Sequence, residues 1–187
     1  MLKWIAVPIV VSVLIAGRYQ PPHPQQAAVP QSVKLVTLTN LHYDPAKPVF
    51  YSQNMQMPAL LPMCTPVTVG VRTSSAIAFT VDSAQTAYTY ELRHNATPEG
   101  LDSNFARYFG PACDSAAVKK LSDVDRRGIH TGQALVGMTK QGVIFAIGYP
   151  PKSHTPSTDG NAWRYWHSRF DTFLVYFDAD TVLRIKE

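Results

Sequence analysis

The chain has 187 residues, enough for one compact domain or two small ones, and its composition is that of an ordinary globular protein, with 45% hydrophobic and 16% charged residues. Of its 17 Lys and Arg, Lys3 and Arg18 lie in an N-terminal leader, so the 15 that remain face 13 acidic residues. A balance that even, spread along the chain, excludes the basic footprint of a nucleic-acid-binding protein.

Residues 1–18 read as a targeting segment outside the fold. Lys3 supplies the positive start, and Trp4 to Ala16 is an uncharged run. The run has the length of a secretory core and falls short of the roughly 20 residues that cross a bilayer. Leu14-Ile15-Ala16-Gly17 has the form of a lipoprotein processing box, yet Arg18 stands where the acylated cysteine belongs. Three fates stay open: cleavage further on, near Ala27-Ala28; retention as a short inner-membrane anchor; or a lipoprotein lineage that has lost its lipid site. Each places the body of the chain outside the cytoplasm, in the periplasm or at a membrane facing it. Residues 19–32 carry Pro21, Pro22, Pro24 and Pro30 and almost nothing apolar, which describes an extended, solvated tether that includes His23.

From Val33 the pattern turns to strands. Lys34 to Leu41, Val49 to Ser52, Thr65 to Arg72, Ala76 to Val81 and Ala87 to Leu92 are rich in β-formers and bounded by turn residues. Such spacing predicts a small barrel or a curled antiparallel sheet over residues 33–98. Beyond it, Leu101 to Phe109 and Ser115 to Ile129 are predicted helical. Asp114 or Ser115 is the expected cap of the second helix, with Ala117, Leu121 and Val124 on one face. Lys119, Lys120, Asp123, Asp125, Arg126 and Arg127 then form a solvated face. Asn95-Ala96-Thr97 fits a glycosylation pattern and is discounted, because Pro98 follows and the chain reads as bacterial.

Thr139 is the predicted cap of a helix carrying Val143, Ile144 and Ile147, stopped by Gly148 and Pro150. Gly142 inside it should cost about 1 kcal/mol relative to alanine. Strands follow at Ala162 to Trp166, Thr172 to Phe177 and Thr181 to Ile185, with Asp178-Ala179-Asp180 as a hairpin turn. Trp163 and Tyr165 share one face of the first strand, and Arg164 and Trp166 the other. Phe173, Val175 and Phe177 share one face of the second, and Leu174 and Tyr176 the other. Helices before an antiparallel meander predict an α+β layer.

Gly137-Met138-Thr139, Val143, Gly148-x-Pro150 and Asn161-x-Trp163-x-Tyr165, in this order, resemble the small outer-membrane assembly lipoproteins of the SmpA/OmlA (BamE) type. The resemblance spans residues 129–185. It implies helices packed on a three-stranded antiparallel sheet within residues 99–187, and a non-enzymatic role in binding and stabilising a larger envelope assembly. Its partner is then a protein of the bacterial envelope. The same fold occurs in secreted proteinaceous enzyme inhibitors, which stand as an alternative. Leu60 to Val69 resembles the Leu-Pro-x-Gly-Thr-x-Val-x-Val stretch of bacterial SH3-like domains, over residues 33–92. This adds the possibility of cell-wall peptide binding, with peptidoglycan as partner. Cys64 replaces the glycine of that pattern, which puts a left-handed turn there in doubt.

Trp163, Tyr165, Trp166 and Phe170, flanked by Arg164 and Arg169, are the candidate contact residues, since a ring beside arginine is a common interface anchor. Two tryptophans three apart on a strand point to opposite faces, so one enters the core and the other does not. Cys64 and Cys113 are the only cysteines, and in an exported chain they are expected to form a structural disulfide. His42, His94, His130, His154 and His167 form no metal-binding spacing, so neither a metal nor a cofactor is expected. The sequence holds no Gly-rich phosphate loop and no Gly-x-Ser-x-Gly, and a thiol hydrolase built on Cys64 or Cys113 ranks last.

Overall fold

A computed structural model describes residues 32–93 and 100–187. The leader, all but the last residue of the tether, His94 and the Asn95-Ala96-Thr97 pattern lie outside the described residues. The fold is α+β. Its first strands are β1 (Val33–Thr37), β2 (Leu41–Tyr43), β3 (Val49–Tyr51), β4 (Ala59–Leu61), β5 (Pro66–Arg72), β6 (Ala76–Val81) and β7 (Thr86–Glu91). Helix α1 (Leu101–Phe105), strand β8 (Phe109–Gly110), and helices α2 (Ser115–Lys120), α3 (Asp123–Thr131) and α4 (Lys140–Ile147) come next. The chain closes with β9 (Ala162–Trp166), β10 (Thr172–Asp178) and β11 (Thr181–Lys186). No helix among the described residues is long and apolar enough to cross a membrane.

The first unit is a curled six-stranded sheet in the order β3-β7-β6-β5-β1-β8, with β2 and β4 paired beside it. All its ladders are antiparallel except β3 with β7. Phe50, Val67, Phe79 and Tyr90 fill its concave side. Leu101, Phe105, Tyr108 and Phe109 join them, so residues 101–110, assigned from sequence to the second module, pack in the first core.

Three sequence expectations change here. The single strand predicted from Lys34 to Leu41 is two strands, because Leu38 N donates to the Tyr108 carbonyl and Asn40 N to the Phe145 carbonyl. The helix predicted from Leu101 to Phe109 ends at Phe105, and Phe109–Gly110 adds to β1 as a strand. The helix predicted over Ser115 to Ile129 is likewise two, divided where Ser122 caps α3. A fourth concerns Cys64, which does adopt a left-handed conformation, with φ 63°. Its sulfur is bonded to that of Cys113, across a sequence separation of 49.

The second unit packs α3 and α4 on the β11-β10-β9 sheet, around Met138, Val143, Ile147, Trp163 and Val175. Asp125, expected on a solvated face, is fully buried. Its carboxylate accepts from Ser122 N and Oγ, completing a capping box on α3, and from Thr139 N at 2.7 Å. Thr139 in turn caps α4 by accepting from Gly142 N at 2.9 Å. One carboxylate therefore sits at the N-terminal ends of both helices, where their unpaired N–H groups favour negative charge. Gly142 permits this approach, since a Cβ at that position would overlap the Asp125 carboxylate.

The opposite helix ends join the two units. Asn40 Nδ2 donates to the Ile129 carbonyl at 2.6 Å and the Ala146 carbonyl at 3.1 Å. Asn54 Nδ2 donates to the Ile147 and Tyr149 carbonyls at 2.6 and 2.9 Å. Ala146 and Ile147 lie in the last turn of α4, where carbonyls lack helical partners, and Tyr149 follows that helix. The Ile129 carbonyl of α3 also accepts from Gly132 N, so the first unit caps the C-terminal end of α4 and braces that of α3.

Candidate functional site

Strand β10 is the centre of the second sheet. Phe173 lies opposite Tyr165, and Val175 opposite Trp163 on one side and Ile185 on the other, all facing the helices. The alternate residues form the outer face in three cross-strand rows. Trp166 pairs with Thr172; Arg164, Leu174 and Lys186 form the next row; Ala162, Tyr176 and Arg184 form the third.

This geometry divides the six predicted contact residues. Trp163 and Tyr165 are 0% exposed and belong to the core, which corrects their assignment to an interface. Their polar tips are satisfied internally, which allows full burial: Trp163 Nε1 donates to the Gly160 carbonyl at 3.1 Å and Tyr165 Oη to the Gly148 carbonyl at 3.0 Å. Burial also raises the Tyr165 phenol well above its usual range. Trp166 is half-buried on the outer face, its ring 4.6 Å from that of His154, and its carbonyl accepts from Gln56 N of the first unit. Arg164 is exposed beside it. Arg169 and Phe170 sit in the loop joining β9 to β10, where Phe170 is 89% exposed with the Arg169 guanidinium 5.4 Å from its ring.

Arg184 and Lys186 were missed by sequence reasoning, and the cause is local. A β-bulge at Leu183 inserts an extra residue into β11 opposite the Tyr176-Phe177 step. Strict alternation from the buried Val182 would turn Arg184 and Lys186 inward; the bulge turns them outward and puts Ile185 against the core instead. Arg184 lies 4.4 Å over the Tyr176 ring. Neither Arg164, Arg184 nor Lys186 forms an ion pair among the described residues. Asp178, on the turn side of Tyr176, is the only carboxylate in outward register on these strands.

A concavity of about 730 Å³ lies between the units and is lined in part by His42, Gln56, Gln133, His167, Phe173 and Glu187. His42 Nδ1 is 2.9 Å from the Met57 carbonyl, which can only accept, so Nδ1 carries the proton. His42 Nε2 and Gln56 Oε1 are buried without partners and closed to solvent, so the cleft presents neither acceptor to a ligand. Burial holds the His42 ring below its ordinary value of 6.5, against the opposing pull of the Met57, Ala146 and Gly132 carbonyls. The unfolded chain thus binds this proton first as pH falls, and stability present above pH ~6.5 is lost below it. The melting temperature should be lower at pH 5.5 than at 7.5, and His42→Gln should flatten that difference; an unchanged slope in the variant would assign it to other groups.

Among the described residues, no three His, Cys, Asp or Glu lie close enough to hold a metal ion. No family model matches the chain, and no curated protein or solved structure does either.

Proposed function

We propose that this chain is a non-enzymatic, exported envelope protein that binds a neighbouring protein and stabilises a larger envelope assembly. In this reading its second unit is a BamE-like layer and its first an SH3-like module, as the sequence resemblances imply. It works in the periplasm, or at a membrane facing it, and requires no cofactor. The observation that carries the reading is the outer sheet face, where half-buried Trp166, Leu174 and Tyr176 lie among three cations that no carboxylate neutralises. A face of half-buried rings held on a sheet and flanked by cations suits recognition, because aromatic and arginine side chains are the commonest interface anchors and the rings are already ordered by packing. The disulfide supports an oxidising compartment, in which such bonds persist.

The immobilised protein should retain an envelope membrane protein from detergent-solubilised bacterial envelope. Trp166→Ala should weaken that retention severalfold while the melting temperature falls by only a few degrees. Equal retention by the variant would remove this face from the function. Co-sedimentation with purified peptidoglycan, without protein capture, would favour the cell-wall alternative.

A further inference from the structure

We infer that the partner presents to this face an extended acidic segment with carboxylates on alternate residues, laid along β11 and β10. The inference rests on the binding-module reading above and names the chemistry of its partner.

The spacing of the cations sets the ligand. Lys186 and Arg184 are two residues apart on one strand and both face outward, so their Cα atoms lie ~7 Å apart. Side chains at i and i+2 of any extended peptide repeat at the same ~7 Å, which lets successive carboxylates meet the two cations in register. Arg164 occupies the far side of Leu174 from Lys186, ~10 Å away across two strand spacings, and closes the charged rim. Between them Leu174 and Tyr176 are half-buried and give a shallow apolar floor for the backbone of the segment.

Other anionic partners fit less well. The large apolar groups exposed beside these rows are two isolated side chains, Leu183 on β11 at 61% and Phe170 in the loop between β9 and β10 at 89%, too few to anchor the face in a bilayer. The Arg184 guanidinium already lies 4.4 Å from the centre of the Tyr176 ring, so one face of that ring is taken and is closed to a stacking base.

Fluorescence anisotropy with labelled hexapeptides of equal charge tests this. The alternating Glu-Val-Glu-Val-Glu-Val should bind about tenfold more tightly than the blocked Glu-Glu-Glu-Val-Val-Val, and its affinity should fall as salt rises. Arg184→Glu combined with Lys186→Glu should abolish that preference, and the doubly substituted protein should instead take the alternating Lys-Val peptide. Both substituted side chains are exposed, so an unchanged melting curve serves as the folding control. Equal binding of both Glu peptides would overturn the register argument. Binding to vesicles containing phosphatidylglycerol but to neither peptide would overturn the acidic segment in favour of a lipid surface. Failure of every probe, with envelope-protein capture through Trp166 intact, would overturn the acidic segment alone. Loss of capture as well would overturn the binding module itself.

Discussion

Replacing Gly142 with alanine should destabilise the protein by about 2–4 kcal/mol, although helix propensity alone favours alanine by about 1 kcal/mol. The new methyl group would occupy the place of the Asp125 carboxylate, which is wholly buried. To make room, that carboxylate must leave Thr139 N and Ser122, so α3 and α4 lose a shared cap together. Unfolding in urea should show the loss at an unchanged slope. In an Asp125→Ser background, the same glycine substitution should cost far less, since the overlap is gone, and the two changes should be strongly non-additive. A Gly142→Ala protein as stable as the wild type would mean that Asp125 does not lie against α4.

Breaking the disulfide should cost about 4 kcal/mol, the loop-closure entropy of a crosslink spanning 49 residues. The bond ties the turn before β5 to the connector between β8 and α2, and so fixes the passage from the first unit into the second. Cys113→Ser, or reduction of the native protein, should lower the urea midpoint by the corresponding amount. Thiol labelling should detect no free sulfhydryl before reduction and two after reduction and unfolding. A cysteine held in this way has no thiolate with which to attack a substrate. Rapid labelling of the untreated protein, with no change in stability on adding reductant, would contradict the bond.

How much of this was legible in the sequence depended on whether a feature was local. The opposite parity of Trp163 and Trp166 follows from the two-residue period of a strand, and the structure places one ring in the core and the other on the outer face. The Thr139 and Gly148 limits of α4 were likewise readable, because capping involves only the residues of one turn. Asp125 and Gly142 were misread for the opposite reason. Gly142 looks unfavourable on its own helix and Asp125 looks like part of a solvated face, and only their contact across two helices explains the glycine and the burial of the carboxylate. The Lys34 to Leu41 stretch alternates like one strand, yet Leu38 and Asn40 are drawn off by carbonyls of Tyr108 and Phe145, far along the chain. The bulge at Leu183 is the most consequential omission. One inserted residue decides that Arg184 and Lys186 face solvent, and no turn residue in Thr181 to Lys186 announces it.

The central proposition, that the outer face of the second sheet grips a protein neighbour, is tested most directly by photocrosslinking in the intact bacterial envelope. A photoreactive residue would be placed at Tyr176 on that face, and separately at Val71 on the first unit, which is 64% exposed. A discrete protein adduct from the Tyr176 position, and none from Val71, is the expected result. Adducts from Val71 alone, or from neither position in envelopes where the protein is abundant and folded, would contradict it.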